Sequence, residues 1–457
     1  FVPTLYPDYH PDVGGGVDIG RSILAKPYDI RGLGKDMARL KLPLKTITFM
    51  GMMFNSSNAD LKHFFRATKS LTSALYVARR LVNHLRELLV YRRAIQVTSG
   101  NALAARLAQS ALDLGIPILT SHAVRGLRER DGRVCGVEVK LPDGSSTEMH
   151  AKQAVVLACG GFPHDLQRLA QAYPHVRRGH AHLSPTPLSN TGDGVNMAER
   201  AGAAVDIRFA DSAAWMPVTP VDFGGGEIGV FPHLLDRYKP GVIGVLRNGR
   251  RFTNESNSYH DVGLAMIEAC KDQDETAMWL VCDKVTLSKY GLGYVKPAPL
   301  PIGRFLRNGY LLEGKTLEAL ALKAGLDPKG LAETVAAYNV HAVKGEDPEF
   351  GRGRTSFNRY LADPEQKPNP CVAPIVKGPF YAIKVIMGDL GTFDGIQTTV
   401  EGQVLRRDGS SIAGLYAAGN DRASIMGGNY PAAGITHGPN MTFAYVCANH
   451  IADQAGV

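Results

Sequence analysis

Cysteine is sparse and scattered in this chain. The six (Cys135, Cys159, Cys270, Cys282, Cys371 and Cys447) lie far apart, with no C-x-x-C pair among 457 residues. That excludes a disulfide framework and a cysteine-built zinc site, and it fits a reducing compartment, so a cytoplasmic location is expected. No apolar run approaches the roughly 20 residues needed to cross a bilayer. There is no internal repeat and no long low-complexity segment. His175, His180 and His182 fall close together, but no carboxylate or thiolate completes a ligand set, so no metal is expected and they are read as loop histidines. Net charge is +8, that of a mildly basic globular protein, and no nucleic-acid partner is expected.

What is present is ordinary globular composition, 44% hydrophobic and 21% charged, at a length that predicts two domains. Fifty glycines exceed the usual share and cluster at turns. Residues 1–30 read as loop. From Asp60 to Arg93 apolar residues recur every three or four positions, a helical pattern rich in basic residues (Lys62, Lys69, Arg79, Arg80 and Arg86 among them). Such a helix could lie on a membrane surface; a solvated face is the preferred reading.

Residues 96–140 predict strand, helix, a strand at 116–119, then a hairpin turning at Asp131-Gly132. Ala154–Cys159 is a continuous apolar run ending in Gly160-Gly161, which suits a strand buried on both faces. The two glycines are either a tight turn or a place where a ligand's backbone approaches. Gly192-Asp193-Gly194 opens a helix, with Asp193 as cap first and ligand contact second. Gly224–Gly229 spells G-x-G-x-x-G, but Val-Phe-Pro-His follows, so no helix opens on it and it is set aside. Asn248-Gly249 reads as a type I′ turn, and Trp279–Asp283 as a core strand.

The densest stretch is GTFDGIQTTVEGQVLRRDGSSIAGLYAAGNDRASIMGGNYPAAGITHGPNMTFAYV, residues 391–446. A hairpin leads into the strand Gly414–Ala418, which ends at Gly419-Asn420. A Gly/Asn/Pro loop carrying Tyr430 then passes Gly434 into a helix near Pro439. A helix start offers unpaired N–H groups to an electron-rich ring edge.

GLYAAGN, the Tyr-x-x-x-Gly loop and GPNMTFAY together resemble the FAD-dependent family of 3-ketosteroid 1-dehydrogenases and fumarate-reductase-type flavoproteins. The ketosteroid branch is the closer, because the loop lacks the arginine typical of the fumarate branch. The resemblance implies an α/β fold, a Rossmann-like FAD-binding domain with an inserted α+β catalytic domain. Segments are expected at 1–95 (active-site loop and helical insertion), 96–204 and 391–457 (FAD binding), and 205–390 (catalytic). The G-x-G-x-x-G unit that opens such a domain is not found, and a start at Phe1 suggests a processed or truncated chain.

By the same resemblance FAD is the cofactor. Val124, Gly160, Gly161, Asp193, Gly419, Asn420, Thr436, His437, Gly438 and Met441 would meet it. Tyr430 and Gly434 would hold a ketone oxygen, Tyr259 would take the α proton, and Tyr9 would assist. Read alone, Tyr9 and Tyr259 are also ordinary loop tyrosines. The implied reaction is desaturation beside the ketone of a small hydrophobic, steroid-like substrate, with an unknown electron acceptor. The alternatives are a reductase of an unsaturated acid, for which Arg422, Arg250 and Arg251 would be the clamp, and a non-catalytic fragment.

Overall fold

The computed structural model describes residues 1–54, 59–67, 70–207, 209 and 211–456. It divides into two compact units, residues 1–7 with 17–120, and residues 8–16 with 121–457.

In the first unit, strand β1 (Tyr28–Asp29) pairs antiparallel with β2 (Gln96–Val97), between which lie helices α1 (Ala59–Arg66) and α2 (Leu71–Tyr91). The expected helical stretch is therefore two helices. Lys69 and the side chains of Lys62 and Phe65 lie outside what is described. Helix α3 (Ser99–Asp113) follows and closes on Gly115, which is left-handed at φ 68°. Ile30, Leu33, Ile95, Val97, Ala102 and Ala105 form the core of this unit. Residues 116–119 are not a strand. Pro117 removes a ladder donor, and the Arg39 guanidinium takes the Ile118 carbonyl.

The second unit opens with β3 (Ala123–Arg130), β4 (Arg133–Lys140) and β5 (Ser146–His150), an antiparallel sheet. Its first turn is the expected two-residue one: Arg130 faces Arg133, and Asp131 and Gly132 are both left-handed. Strand β6 (Val155–Leu157) is shorter than expected and not buried on both faces, since Val156 is 43% exposed. The reason is position. It lies at one end of a three-stranded sheet, parallel to a later strand. Helix α4 (Asp193–Arg200) comes next.

The large sheet holds β7 (Ala213–Gly224), β8 (Glu227–Pro232), β9 (Val242–Val245), β10 (Ala277–Asp283) and β11 (Phe380–Thr392), in the order β8–β7–β11–β10–β9, all antiparallel. Every residue of β10 is buried, as a core strand requires. The G-x-G-x-x-G look-alike is the β7–β8 hairpin turn, with Gly224, Gly225 and Gly226 all at positive φ. Asn248-Gly249 is not a type I′ turn. Only Gly249 is left-handed, and its N–H bonds the Leu246 carbonyl at 2.8 Å, the three-residue hairpin built on a type I turn. Helix α5 (Tyr259–Ala269) packs on β7.

The chain closes with β12 (Gln403–Leu405), β13 (Ser411–Ala417) and α6 (His437–Ala455). Strand β13 is the parallel partner of β6. It also runs close against β4, where a side chain at Gly414 would meet the Val134 carbonyl at 2.2 Å. Leu157, Val195, Trp215, Met387 and Leu415 share one hydrophobic core, which joins β6, α4 and β13 to the large sheet. A site lying between these elements thus has one continuous support.

Candidate functional site

Three tyrosines far apart in sequence meet in the second unit. Tyr259 is the first residue of α5, where the Oγ of Ser258 accepts the Asp261 N–H at 3.1 Å and fixes the helix start. It is a helix residue, not a loop one. Tyr430 lies in the loop before α6, and the Tyr9 N–H bonds the carbonyl of the adjacent Pro431 at 2.9 Å. The Tyr9 hydroxyl donates to that of Tyr259 at 2.8 Å. Tyr9 and Tyr430 stack with ring centroids 5.4 Å apart, and Tyr259 meets Tyr430 edge-on at 5.3 Å. Phe357 packs on Tyr9 at 4.8 Å. All three tyrosines are buried.

Burial pushes the Tyr259 hydroxyl well above the ordinary phenol range, and the neighbouring Tyr9 and Tyr430 push it the same way. Burial also raises Tyr430, against the hydrogen bonds from Tyr259 and Thr436. Both hydroxyls are therefore neutral near pH 7, which makes the cluster a set of O–H donors. Beside it the His260 ring lies 5.8 Å from Tyr430. Its Nδ1 accepts the Trp215 N–H at 3.2 Å, and burial holds its pKa down to about 4.

Four residues past Tyr430, Gly434 sits at φ 85°, and a Cβ there would meet nothing within 4 Å. The same openness holds at Gly419 and Gly438. Helix α6 starts after Thr436 with no side chain capping it; the Gly434 carbonyl takes the Gly438 N–H at 2.7 Å and Pro439 has none, which leaves the His437 N–H for a ligand. Asn420 is held by the Asn440 amide, whose Nδ2 donates to its Oδ1 at 2.8 Å. Open glycine backbone at the end of β13 and at the start of α6 forms a cradle that fits a flat, polar-edged ring.

The turn after β6 belongs to the same place. A side chain at Gly161 would strike the Thr392 Oγ1 at 2.2 Å and the Asn420 carbonyl at 2.9 Å. The residue joining these segments is one that sequence reasoning passed over, Asp421. Its fully buried carboxylate accepts the Cys159 N–H at 2.6 Å and the Gly161 N–H at 2.8 Å. A Cβ on Gly194, in the first turn of α4, would lie 2.2 Å from it. Burial raises its pKa despite those two donors. Its adjacency to Asn420 was the available signal, but its partners lie some 260 residues earlier.

Asp193 does not cap α4. Gly192 is the N-cap, left-handed at φ 79°, and Asp193 is exposed in the first turn, accepting from the Thr191 hydroxyl at 3.1 Å. A left-handed N-cap glycine replaces a side-chain cap with backbone geometry. Val124 lies on β3 near the other end of α4, where Arg200 reaches the Arg125 carbonyl at 3.4 Å.

The histidines are not loose loop side chains. His175 is fully buried, its Nε2 lies 3.0 Å from the His182 Nδ1, and the His182 Nε2 lies 2.8 Å from Asp389. Asp389 also takes the Tyr173 hydroxyl at 3.1 Å and the Gly391 N–H at 2.8 Å, tying down the end of β11 beside Thr392. Among the described residues no group of three metal-ligating side chains forms. The arginines considered for a carboxylate clamp are engaged elsewhere. Arg251 is buried between Glu255 and Asp347, each at 2.8 Å. Arg250 pairs with Glu333; Arg422 stacks on Phe443 at 4.2 Å and gives its Nη2 to the Thr399 carbonyl at 3.3 Å, while its buried Nη1 has no hydrogen-bond partner among the described residues.

Comparison with known proteins now has a site to refer to. A family model described as FAD binding domain matches residues 9–436. A 4-oxocyclohex-2-ene-1-carboxylate 5-dehydrogenase of Sinomonas cyclohexanicum is 40% identical over 454 residues, 99% of this chain and 76% of that protein. A 3-oxosteroid 1-dehydrogenase of Mycobacterium tuberculosis is 35% identical over 473 residues, 99% of this chain and 79% of that one. The crystal structure of 3-ketosteroid delta1-dehydrogenase from Sterolibacterium denitrificans with 1,4-androstadiene-3,17-dione matches with a TM-score of 0.87 at 32% identity, covering 99% of this chain and 81% of that one. The chain belongs to the FAD-binding-domain flavoprotein family, on its ketosteroid dehydrogenase branch, and is an FAD-dependent oxidoreductase acting on CH–CH groups.

Proposed function

We propose that this protein introduces a C=C bond beside the carbonyl of a cyclic ketone, a 3-oxosteroid or a smaller 4-oxocyclohexane ring. The observation that carries the reading is the convergence of Tyr9, Tyr259 and Tyr430 beside the open backbone of Gly434. The Tyr430 hydroxyl and the Gly434 N–H hold the ketone oxygen and take up charge as the enolate forms. Tyr259 takes the α proton as its tyrosinate, the C–H bond breaking as the phenol O–H forms, and the Tyr9 hydroxyl, donating at 2.8 Å, stabilises that anion. Burial raises the Tyr259 pKa, so the tyrosinate is scarce near pH 7 and the rate is expected to rise with pH. Bound FAD supplies the acceptor for the hydride leaving the β carbon, which no side chain can do. Gly160, Gly161, Gly419, Asn420, Thr436, His437, Gly438 and Met441 would hold its flavin end, with Asp193 at the α4 start and Val124 toward the adenine.

The pairing of Arg250 and Arg251 with internal carboxylates leaves Arg422 without a second arginine for a carboxylate clamp, which supports a ketone over an unsaturated acid. The test is anaerobic mixing of the FAD-loaded protein with a 3-ketosteroid or with 4-oxocyclohexanecarboxylate, following flavin absorbance near 450 nm (roughly, a property of the cofactor). Bleaching by one and not the other assigns the ring class. Bleaching by neither, with FAD bound, refutes the reading.

A further inference from the structure

One turn of helix organises the three tyrosines. Tyr259 opens α5, and the next residue, His260, points roughly 100° further round the helix. His260 is 3% exposed, and each of its ring nitrogens has a partner. Where the register of β7 on β11 shifts, between Ala213 and Trp215, the Trp215 N–H turns to His260 and donates to Nδ1 at 3.2 Å. A backbone N–H can only donate, so Nδ1 carries no proton and the neutral ring holds its hydrogen on Nε2. That N–H goes to the Gly428 carbonyl, two residues before Tyr430. The ring also lies beside Tyr430 and Phe393, with centroids 5.8 and 5.9 Å away.

The loop that carries Tyr430 needs such a tie. Several of its bonds are local: Ser424 Oγ takes the Met426 N–H at 3.2 Å, and the Met426 carbonyl takes the Asn429 N–H at 3.1 Å. They shape the loop without fixing it to the scaffold. The Ser424 N–H is anchored on the Phe393 carbonyl at 2.7 Å, and the Pro431 carbonyl is held by Tyr9. Between these anchors Gly427 and Gly428 are both left-handed, at φ 59° and 92°, a pair with wide conformational freedom. His260 removes that freedom at Gly428. It thereby sets where the Tyr430 hydroxyl stands relative to that of Tyr259. With Tyr430 on the ketone oxygen and Tyr259 on the α proton, as proposed, that separation has to match the substrate. A helix that carries one group and fastens the other fixes the separation through a single backbone turn.

We infer that His260 is a positioning residue of the reaction, acting through the Gly428 carbonyl to set Tyr430 against Tyr259. The inference rests on the proposed role of Tyr430. Two variants separate its two hydrogen bonds. H260Q places an amide N–H about where Nε2 stands and keeps the Gly428 bond; H260N places an amide oxygen about where Nδ1 stands and keeps the Trp215 bond. The rate measured is the limiting rate of flavin bleaching, with FAD bound, by the ketone that reduces the parent protein. It is expected to fall about 100-fold in H260N and to stay within about threefold in H260Q. In a Y430F background H260N should cost nothing further, because its effect passes through the missing hydroxyl. Equal losses in the two variants, or a full H260N loss on top of Y430F, would mean that His260 only fills the core, and would overturn the inference. So would an H260N rate at the parent level while Y430F is impaired. A Y430F protein that bleaches at the parent rate instead refutes the reading of the site, and the inference falls with it. Should H260N fail to hold FAD, G428A decides. A Cβ there meets the Asp211 carbonyl at 3.0 Å on left-handed backbone, so the loop must shift, and a parent rate in that variant overturns the inference.

Discussion

Replacing Asp421 tests how the cofactor cradle is held together. Asp421→Ala removes the acceptor for two backbone donors, the Cys159 and Gly161 N–H groups, in a fully buried place. A buried donor left without a partner costs about 1–3 kcal/mol, so two cost about 2–6 kcal/mol. If that loosens the turn after β6, which carries Gly160 and Gly161, FAD affinity should fall by about thirtyfold at the lower end and by about twenty-thousandfold at the upper. Asp421→Asn should be the milder change. Its oxygen keeps one donor, its NH₂ opposes the other, and it no longer buries the carboxylate charge that raises the Asp421 pKa. The assay is titration of apoprotein with FAD, read by quenching of flavin fluorescence, beside thermal unfolding of the apoprotein. A dissociation constant for Asp421→Ala within threefold of the parent would refute the argument. So would an alanine variant that binds FAD better than the asparagine one.

Tyr259→Phe should lower the rate of substrate-driven flavin bleaching by about 10²–10⁴ with flavin content unchanged, and Tyr430→Phe by about 10²–10³; full activity in either displaces that residue from the mechanism. His175 and His260 stay neutral in the fold, with pKa values held by burial at about 2 and about 4 against an ordinary 6.5. The unfolded chain therefore takes up protons below about pH 6.5 that the fold refuses. Their stabilising effect is complete above that pH and lost as the pH falls toward about 4 for His260 and about 2 for His175, at up to about 1.4 kcal/mol per pH unit for each histidine. Urea midpoints between pH 7 and 5 read this, and a flat profile would contradict it. Gly225→Ala, in the look-alike hairpin turn, should leave FAD binding unaltered while costing about 1 kcal/mol for its left-handed backbone; a lost flavin would reinstate the motif.

Local signals read well where one segment contains its own physics. Asp131-Gly132 needs two left-handed residues and has them, and the glycines at 224–226 could not open a helix because Pro232 and a strand follow. The tyrosine cluster came from resemblance, since nothing within any one of its three segments announces the other two. What stayed hidden is what depends on distant partners. Asp421 matters because of Cys159 and Gly161, and His182 because of Asp389. The exposure of Val156 follows from which strand adds beside it, which a six-residue apolar run does not encode. Asp193 lost its capping role to the residue before it, a choice between neighbours that propensity cannot rank.

The hydrogen bond from the Tyr9 N–H to the Pro431 carbonyl also has a meaning in time. A ribosome releases the chain from its N-terminal end at about 5–20 residues per second. More than four hundred residues separate the two partners, so Tyr9 emerges at least about twenty seconds before the loop that positions it. The helix carrying Tyr259 can form in that interval, but the stack of Tyr9 on Tyr430 cannot. The tyrosine cluster is therefore completed only once the loop carrying Tyr430 has been made.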